Sequence, residues 1–342
     1  MLTRLIYDNI YCLFNTIISW EVKMLTIEKL YQLVVDHGIE VDPRGRKAVE
    51  EELEETKKSY QDLKEEEKSE FDQEKLSNPF SDTRILYGNR EKIIKRILVG
   101  IDMEGGEILL ADRLSEKGKS IDLVIAHHPE GYALAGLYGV MKMQSDVLNK
   151  FGVPINIAEG ILKERISEVE RKLLPVNHNR TVDMARLLDI PFMCMHTPAD
   201  NHVVDYLQKM LDQKEHKKVR DVVKVLKNIP EYKEALLNVA GPKIIAGNEN
   251  NRIGKIFVDM TGGTEGSKDS FEKLSIAGVG TMIGMHYSDD LRKKAEKYHI
   301  NLIVAGHISS DNIGMNLLLD KIEKEYSLEI IETSGFKRYR RI

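Results

Sequence analysis

The chain has 342 residues, length for about two domains, and its 42% hydrophobic content excludes global disorder. With 50 Lys and Arg against 55 Asp and Glu the formal charge is -5, so no net positive field points to nucleic acid. The two cysteines, Cys12 and Cys194, exclude a disulfide framework, a four-cysteine zinc site and an iron–sulfur cluster, and suit a reducing, cytoplasmic setting.

Residues 10–20 (IYCLFNTIISW) are mostly apolar but too short for a membrane span of about 20 residues. No small-residue cleavage site follows, so a buried or docked helix fits better than a secretory signal. Met24 precedes LTIEKLYQLVVDHGI, and residues 1–24 are expected to be an accessory or misassigned extension. Ile27, Leu30, Tyr31 and Val34 predict a helix over 25–37, with Thr26 as its cap. Pro43 and Gly45 mark a break. Residues 47–72, rich in Glu and Lys, predict one or two solvated helices; a partner-binding arm is the second reading. Residues 25–93 as a whole read as a mainly helical segment carrying this charged insertion.

Strand 94–102 (IKRILVGID), helix 108–117 and strand 121–129 (IDLVIAHHP) predict a βαβ unit with a parallel sheet. Helix 138–151, a largely helical 155–189, strand 191–196 (PFMCMH) and helix 203–211 complete a first α/β half over 94–210. Residues 211–240 read as a helical linker. GKIFVDMTGGTEG (254–266), VGTMIGMH (279–286), helix 289–298, INLIVAGH (300–307) and helix 312–325 make a second α/β half within 241–342.

Ligands bind outside the carboxyl ends of parallel strands, and histidines stand there. One strand ends in His127-His128, one in His196 with Asp200 four residues on, and one in His307 with Asp311 four residues on. His286 ends a fourth run. Two adjacent histidines make a poor core, because each imidazole needs its nitrogens satisfied. Imidazole and carboxylate together suit Zn²⁺, Mn²⁺, Fe²⁺, Co²⁺ or Ni²⁺. A carboxylate can bridge two ions about 3.5–4 Å apart, and the spacing points to Asp200 for that place. The run from Thr261 to Ser267 can hold a phosphate on backbone N–H groups or be a plain turn; it lacks the Walker lysine. Glu265 is an acid or base candidate only if it reaches the metals. His286 is either a satisfied strand-end residue or a proton carrier. VGIDMEGG lacks the dinucleotide fingerprint, which argues against an NAD-linked oxidoreductase.

IDLVIAHHP, CMHTPAD and VAGHISSD together resemble the NIF3-like family, also labelled GTP cyclohydrolase 1 type 2-like. The resemblance covers residues 94–342 and, more weakly, 25–35. It implies an α/β, NIF3-like fold: two α/β halves around a central metal-binding crevice, plus helical insertions. It implies two divalent metal ions held by His127, His128, Asp200, His307 and Asp311, with His196 beside them as a supporting or substrate-contacting residue. The family usually has glutamate where Asp311 stands, so this side chain is shorter by about one C–C bond of roughly 1.5 Å. The insertions at 44–73 and 155–190 depart from the family pattern. A homo-oligomer, often a hexamer, is also implied.

The leading functional expectation is a metal-dependent hydrolase acting on a nucleotide or a phosphate-bearing small molecule, with His196, His286 or Glu265 moving the proton. The alternative is a metal-binding scaffold or regulatory interaction protein, and a third class is metal delivery. No membrane or nucleic-acid partner is expected. An open coordination position separates the hydrolase from a structural site.

Overall fold

The computed structural model describes residues 24–342. The extension expected over 1–24 therefore lies almost wholly outside the described residues, as does Cys12. Two sheets form the frame. The first has the order β1 (Arg84–Tyr87), β4 (Phe192–Cys194), β3 (Leu123–Ala126), β2 (Arg96–Gly100), β9 (Glu329–Glu332). The second has the order β5 (Lys243–Ala246), β8 (Asn301–Val304), β7 (Val279–Gly284), β6 (Lys255–Asp259). In each, one edge strand is antiparallel, β1 against β4 and β5 against β8, and the other pairs are parallel. The inner strands are buried, as apolar runs such as LVIA require of a sheet covered on both faces.

The first helix, Ile27–Glu40, starts where the spacing places it, with Lys29 N–H donating to Thr26 Oγ1 at 3.1 Å. The Glu/Lys stretch forms helices Arg46–Gln61 and Glu65–Glu70; Val49 is the only buried residue of the pair, and ion pairs such as Lys57–Glu54 lace the outer face. Strand β1 is among those that escaped sequence reading. The stretch around Arg84–Tyr87 has no alternation to announce it, and it forms by antiparallel pairing with β4.

Two regions cross the expected division into halves. After the second sheet the chain returns, and β9 pairs in parallel with β2. Helices Met143–Lys150 and Ile155–Leu173, placed by sequence order with the first half, pack their Val147, Leu148, Ala158 and Leu162 against Phe257, Met282 and Leu302 of the second sheet. Sequence order alone cannot reveal either crossing, because both depend on which apolar face finds cover.

Between the sheets run two central helices, Thr197–Asp212 and His307–Glu323. Each begins earlier than its apolar periodicity suggests, because its first turn carries the polar residues HTPAD and HISSD. The second helix sends Met315, Leu318, Leu319 and Ile322 into the core under the first sheet, and Ile313 into the core under the second. A Cβ at Gly314 would overlap the Ala199 carbonyl oxygen, so glycine sets the distance between the two helices.

On helix propensity alone, Gly314→Ala would stabilise by roughly 0.5–1 kcal/mol. Here the sign reverses: the backbone of Ala199 cannot swing away, and a loss of about 1–3 kcal/mol is expected. Urea unfolding measures it, and a stabilised variant would refute the close approach.

Candidate metal centre

The site lies where the parallel strands of both sheets end. Register explains the convergence. Gly100 pairs with Ala126, and Ala126 with Cys194, so two residues further on Asp102, His128 and His196 fall side by side. On the antiparallel side Arg84 pairs with Cys194, which brings Asp82 level with His196. In the second sheet Gly284 pairs with Val304, which sets His286 beside the turn that leads to His307.

Five of the residues singled out from sequence meet here. His127 Nε2 lies 3.5 Å from Asp200 Oδ1 and 3.5 Å from Asp311 Oδ1. On the other side of the same carboxylate, Asp311 Oδ2 is 3.5 Å from His128 Nε2 and 3.7 Å from His307 Nε2. These separations are too long for hydrogen bonds and short enough to surround an ion. Three groupings have ligand atoms within 4.8 Å of one another: His127, His128 and His196; His128, His307 and Asp311; and His127, Asp200 and Asp311. Asp311 is the carboxylate common to two of them, a place that spacing had pointed to Asp200 to fill.

The donor set fits a transition metal. His127 Nε2, Asp200 Oδ1 and both Asp311 oxygens are buried without a hydrogen-bond partner. Groups of that kind are costly to leave unmatched, and here all four are aimed at one another. These buried His and Asp groups can hold a metal ion.

Electrostatics follow the same arrangement. Burial drives the His127 pKa down to about 4 against the pull of Asp311, which leaves its Nε2 lone pair free at neutral pH. Burial also opposes charge on Asp311, but His127, His128 and His307 hold its carboxyl well below the usual carboxylate range. Asp200 goes the other way, pushed up to about 8 by burial and the neighbouring Asp311. At His196 burial is outweighed by Asp200 and Asp82, and its pKa rises to about 9.

Sequence reading missed two residues that aim the imidazoles. His128 donates from Nδ1 to Asp102 Oδ1 at 2.6 Å, and His196 from Nδ1 to Asp82 Oδ2 at 2.8 Å. A carboxylate only accepts, so each Nδ1 carries the proton and each Nε2 is left to face the centre. Asp82 Oδ2 also accepts from Thr197 Oγ1 at 2.6 Å. A signal for Asp102 was present, since it closes the strand run IKRILVGID; Asp82 had none, because β1 itself was not foreseen.

His286 and Glu265 sit at the rim. Glu265 Oε1 accepts from His286 Nδ1 at 3.0 Å and from Ser288 N–H at 2.7 Å. The His286 and His307 rings are 4.8 Å apart. Glu265 thus approaches the centre through His286. The glycine-rich turn is held by Gln144 Nε2, which donates to Gly262 O and Thr264 O at 2.8 Å each. A cavity of about 290 Å³ takes in this turn together with His128, His196, Asp200 and His307.

No family model matches the chain, and no curated protein matches it. Solved structures do. The NIF3 superfamily protein from Sphaerobacter thermophilus is 27% identical over 76% of this chain and 93% of its own, with a TM-score of 0.67. Further off are reduced HcgD from Methanocaldococcus jannaschii (17% identical, 78% and 94% covered, TM-score 0.45) and a Bacillus cereus protein related to NIF3 (11%, 73% and 89%, TM-score 0.41). The likeness to the Sphaerobacter protein establishes a NIF3-like α/β fold, as the three motifs led one to expect. Among the described residues no helix is long and apolar enough to cross a membrane.

Zinc added to metal-free protein at 100 times its Kd is expected to stabilise the fold by about 2.7 kcal/mol. In His127→Ala that gain should vanish in thermal unfolding; a full gain in the variant would remove His127 from the centre. Asp102→Ala, at an exposed position, should keep the fold and lower metal affinity about 10–100-fold by competition titration.

Proposed function

Taking the chain as NIF3-like in fold and motif, we propose that it is a divalent-metal-dependent hydrolase of a small nucleotide or phosphate-bearing substrate. His127, Asp200 and Asp311 would hold one ion, and His128, His307 and Asp311 a second. Bound there, the metals would supply Lewis acidity and an acidified water.

The observation that carries this reading is the one-sided exposure of the cluster. Asp311 and His127 are sealed from solvent, whereas His128 and His307 keep 25% and 40% of their side-chain surface open toward the cavity. A purely structural site is closed on all sides; a hydrolytic one keeps a position for water or substrate. His286 is equipped to move a proton at that opening. Its Nδ1 is held by Glu265, which raises its pKa and leaves Nε2 to give or take a proton. His196, fixed by Asp82, supports Asp200 from beneath, with Nε2 at 3.6 Å from Asp200 Oδ2. The turn from Thr261 to Ser267 lines the same cavity and offers backbone N–H groups to an anionic substrate.

The test begins with elemental analysis of untagged protein purified without chelator, where about two transition-metal ions per chain are expected. The loaded protein is then screened against phosphoesters and nucleotides. For a hydrolysed substrate, His286→Ala should lower kcat about 100-fold or more with metal content unchanged. Full metal content with no turnover of any substrate would favour the metal-binding scaffold instead.

A further inference from the structure

None of the residues of the charged insertion over 46–70 lines the cavity beside the metal centre. Buried polar contacts nevertheless join the two. They start at Thr261, which opens the glycine-rich turn and does line the cavity. Thr261 Oγ1 donates to Asn201 Oδ1 at 2.6 Å. Asn201 is fully buried and follows Asp200 on the central helix. Its Nδ2 donates to Asp42 Oδ2 and to Gly38 O, both at 3.3 Å. Asp42 is held in turn by Arg44, with Nε 2.9 Å from Oδ1 and Nη2 3.0 Å from Oδ2. Arg44 reaches on to Glu52, in the middle of helix Arg46–Gln61.

Chemistry fixes the direction of these bonds. A carboxylate and a carbonyl only accept, so the Asn201 amide must turn its NH2 to Asp42 and Gly38, which leaves its oxygen for Thr261. The arginine fork meets both oxygens of Asp42 and so sets the plane of that carboxylate. The Arg44 and Asp42 side chains are 6% and 0% exposed, which shields the pair from water and salt. The turn needs such an anchor. Gly262 and Gly263 stand at φ +91° and +86° and bring no side chain to hold them there. The far end of the insertion is fastened to the site as well. Asp72, just past helix Glu65–Glu70, accepts from Arg84 Nη2 at 2.9 Å. Arg84 Nη1 donates to the carbonyls of Phe80 and Thr83, on either side of the Asp82 that orients His196.

We propose that Asn201 is a positioning residue for the glycine-rich turn, and that the charged insertion sets the place of that turn through Arg44 and Asp42. Displacing helix Arg46–Gln61 shifts Arg44, releases Asp42 and frees Thr261, so an event on the outer face of the insertion is felt at the cavity. That the turn meets an anionic substrate rests on the reading of the cavity as a substrate site; the tie between insertion and turn does not.

The test is NMR relaxation of the full chain labelled with 15N-glycine, read at Gly262, Gly263 and Gly266. Wild-type order parameters of about 0.85 are expected to fall below about 0.6 in Arg44→Gln and in Thr261→Val, which puts a methyl in place of the hydroxyl. In the double variant no further fall is expected, since both changes cut the same chain. Arg44→Lys keeps the charge and loses the fork, and it serves with the same outcomes should Arg44→Gln not fold. Rigid glycines in an Arg44 variant that merely melts lower overturn the proposal. So does a double variant that loosens further than either single one. Inorganic phosphate, titrated into zinc-loaded protein by calorimetry, separates the two readings. Each single variant should bind it about fivefold more weakly at unchanged zinc content. Coupled loosening with no phosphate bound by the wild type removes the anion reading of the turn and upholds the tie. Phosphate bound equally by all, with the glycines rigid, removes the tie and keeps that reading.

Discussion

Two buried carboxylates, Asp200 and Asp311, have imidazoles as their only ion-pair partners among the described residues. Charge in the interior is tolerated only when matched, and imidazole is a weaker match than arginine or lysine. The molecule meets this cost by geometry. Asp200 lies in the first turn of its helix, where unpaired N–H groups favour negative charge. Asp82 and Asp102 fix the ring tautomers from behind. With the Asp311 carboxylate charged and His127 Nε2 unprotonated, the centre is complementary to a small cation, which would displace the protons that Asp200 and His196 hold in its absence, and both sheets, both central helices and Gly314 are positioned to keep it so.

The strand ends explain why so much of the site was legible. An apolar run stopping at histidine needs no tertiary information to be noticed, and a carboxylate four residues into the following helix shares the face of that histidine. His127, His128, Asp200, His307 and Asp311 all announce themselves in this way. Asp82 could not, since its place depends on an antiparallel edge strand of four residues with weak patterning.

Fold class followed from the alternation of apolar strands with amphipathic helices, but the assignment of pieces to sheets did not. Helix Ile155–Leu173 is amphipathic whichever sheet it covers, and its buried Ala158 and Leu162 carry no label for the second sheet. The strand EIIE is equally mute: two isoleucines between glutamates describe an edge strand of any sheet. Such choices are settled by the shape of the uncovered surface.

The return of β9 to the first sheet has a consequence for the order of events during synthesis. β2 and β3 leave the ribosome some 200 residues before the strand that covers the free edge of β2. Asp311, shared by two of the metal groupings, emerges only slightly ahead of that strand. A growing chain therefore presents His127 and His128 well before Asp311 exists. Closure of the first sheet therefore waits on a strand far downstream, and until it arrives an open parallel edge must be kept from other chains.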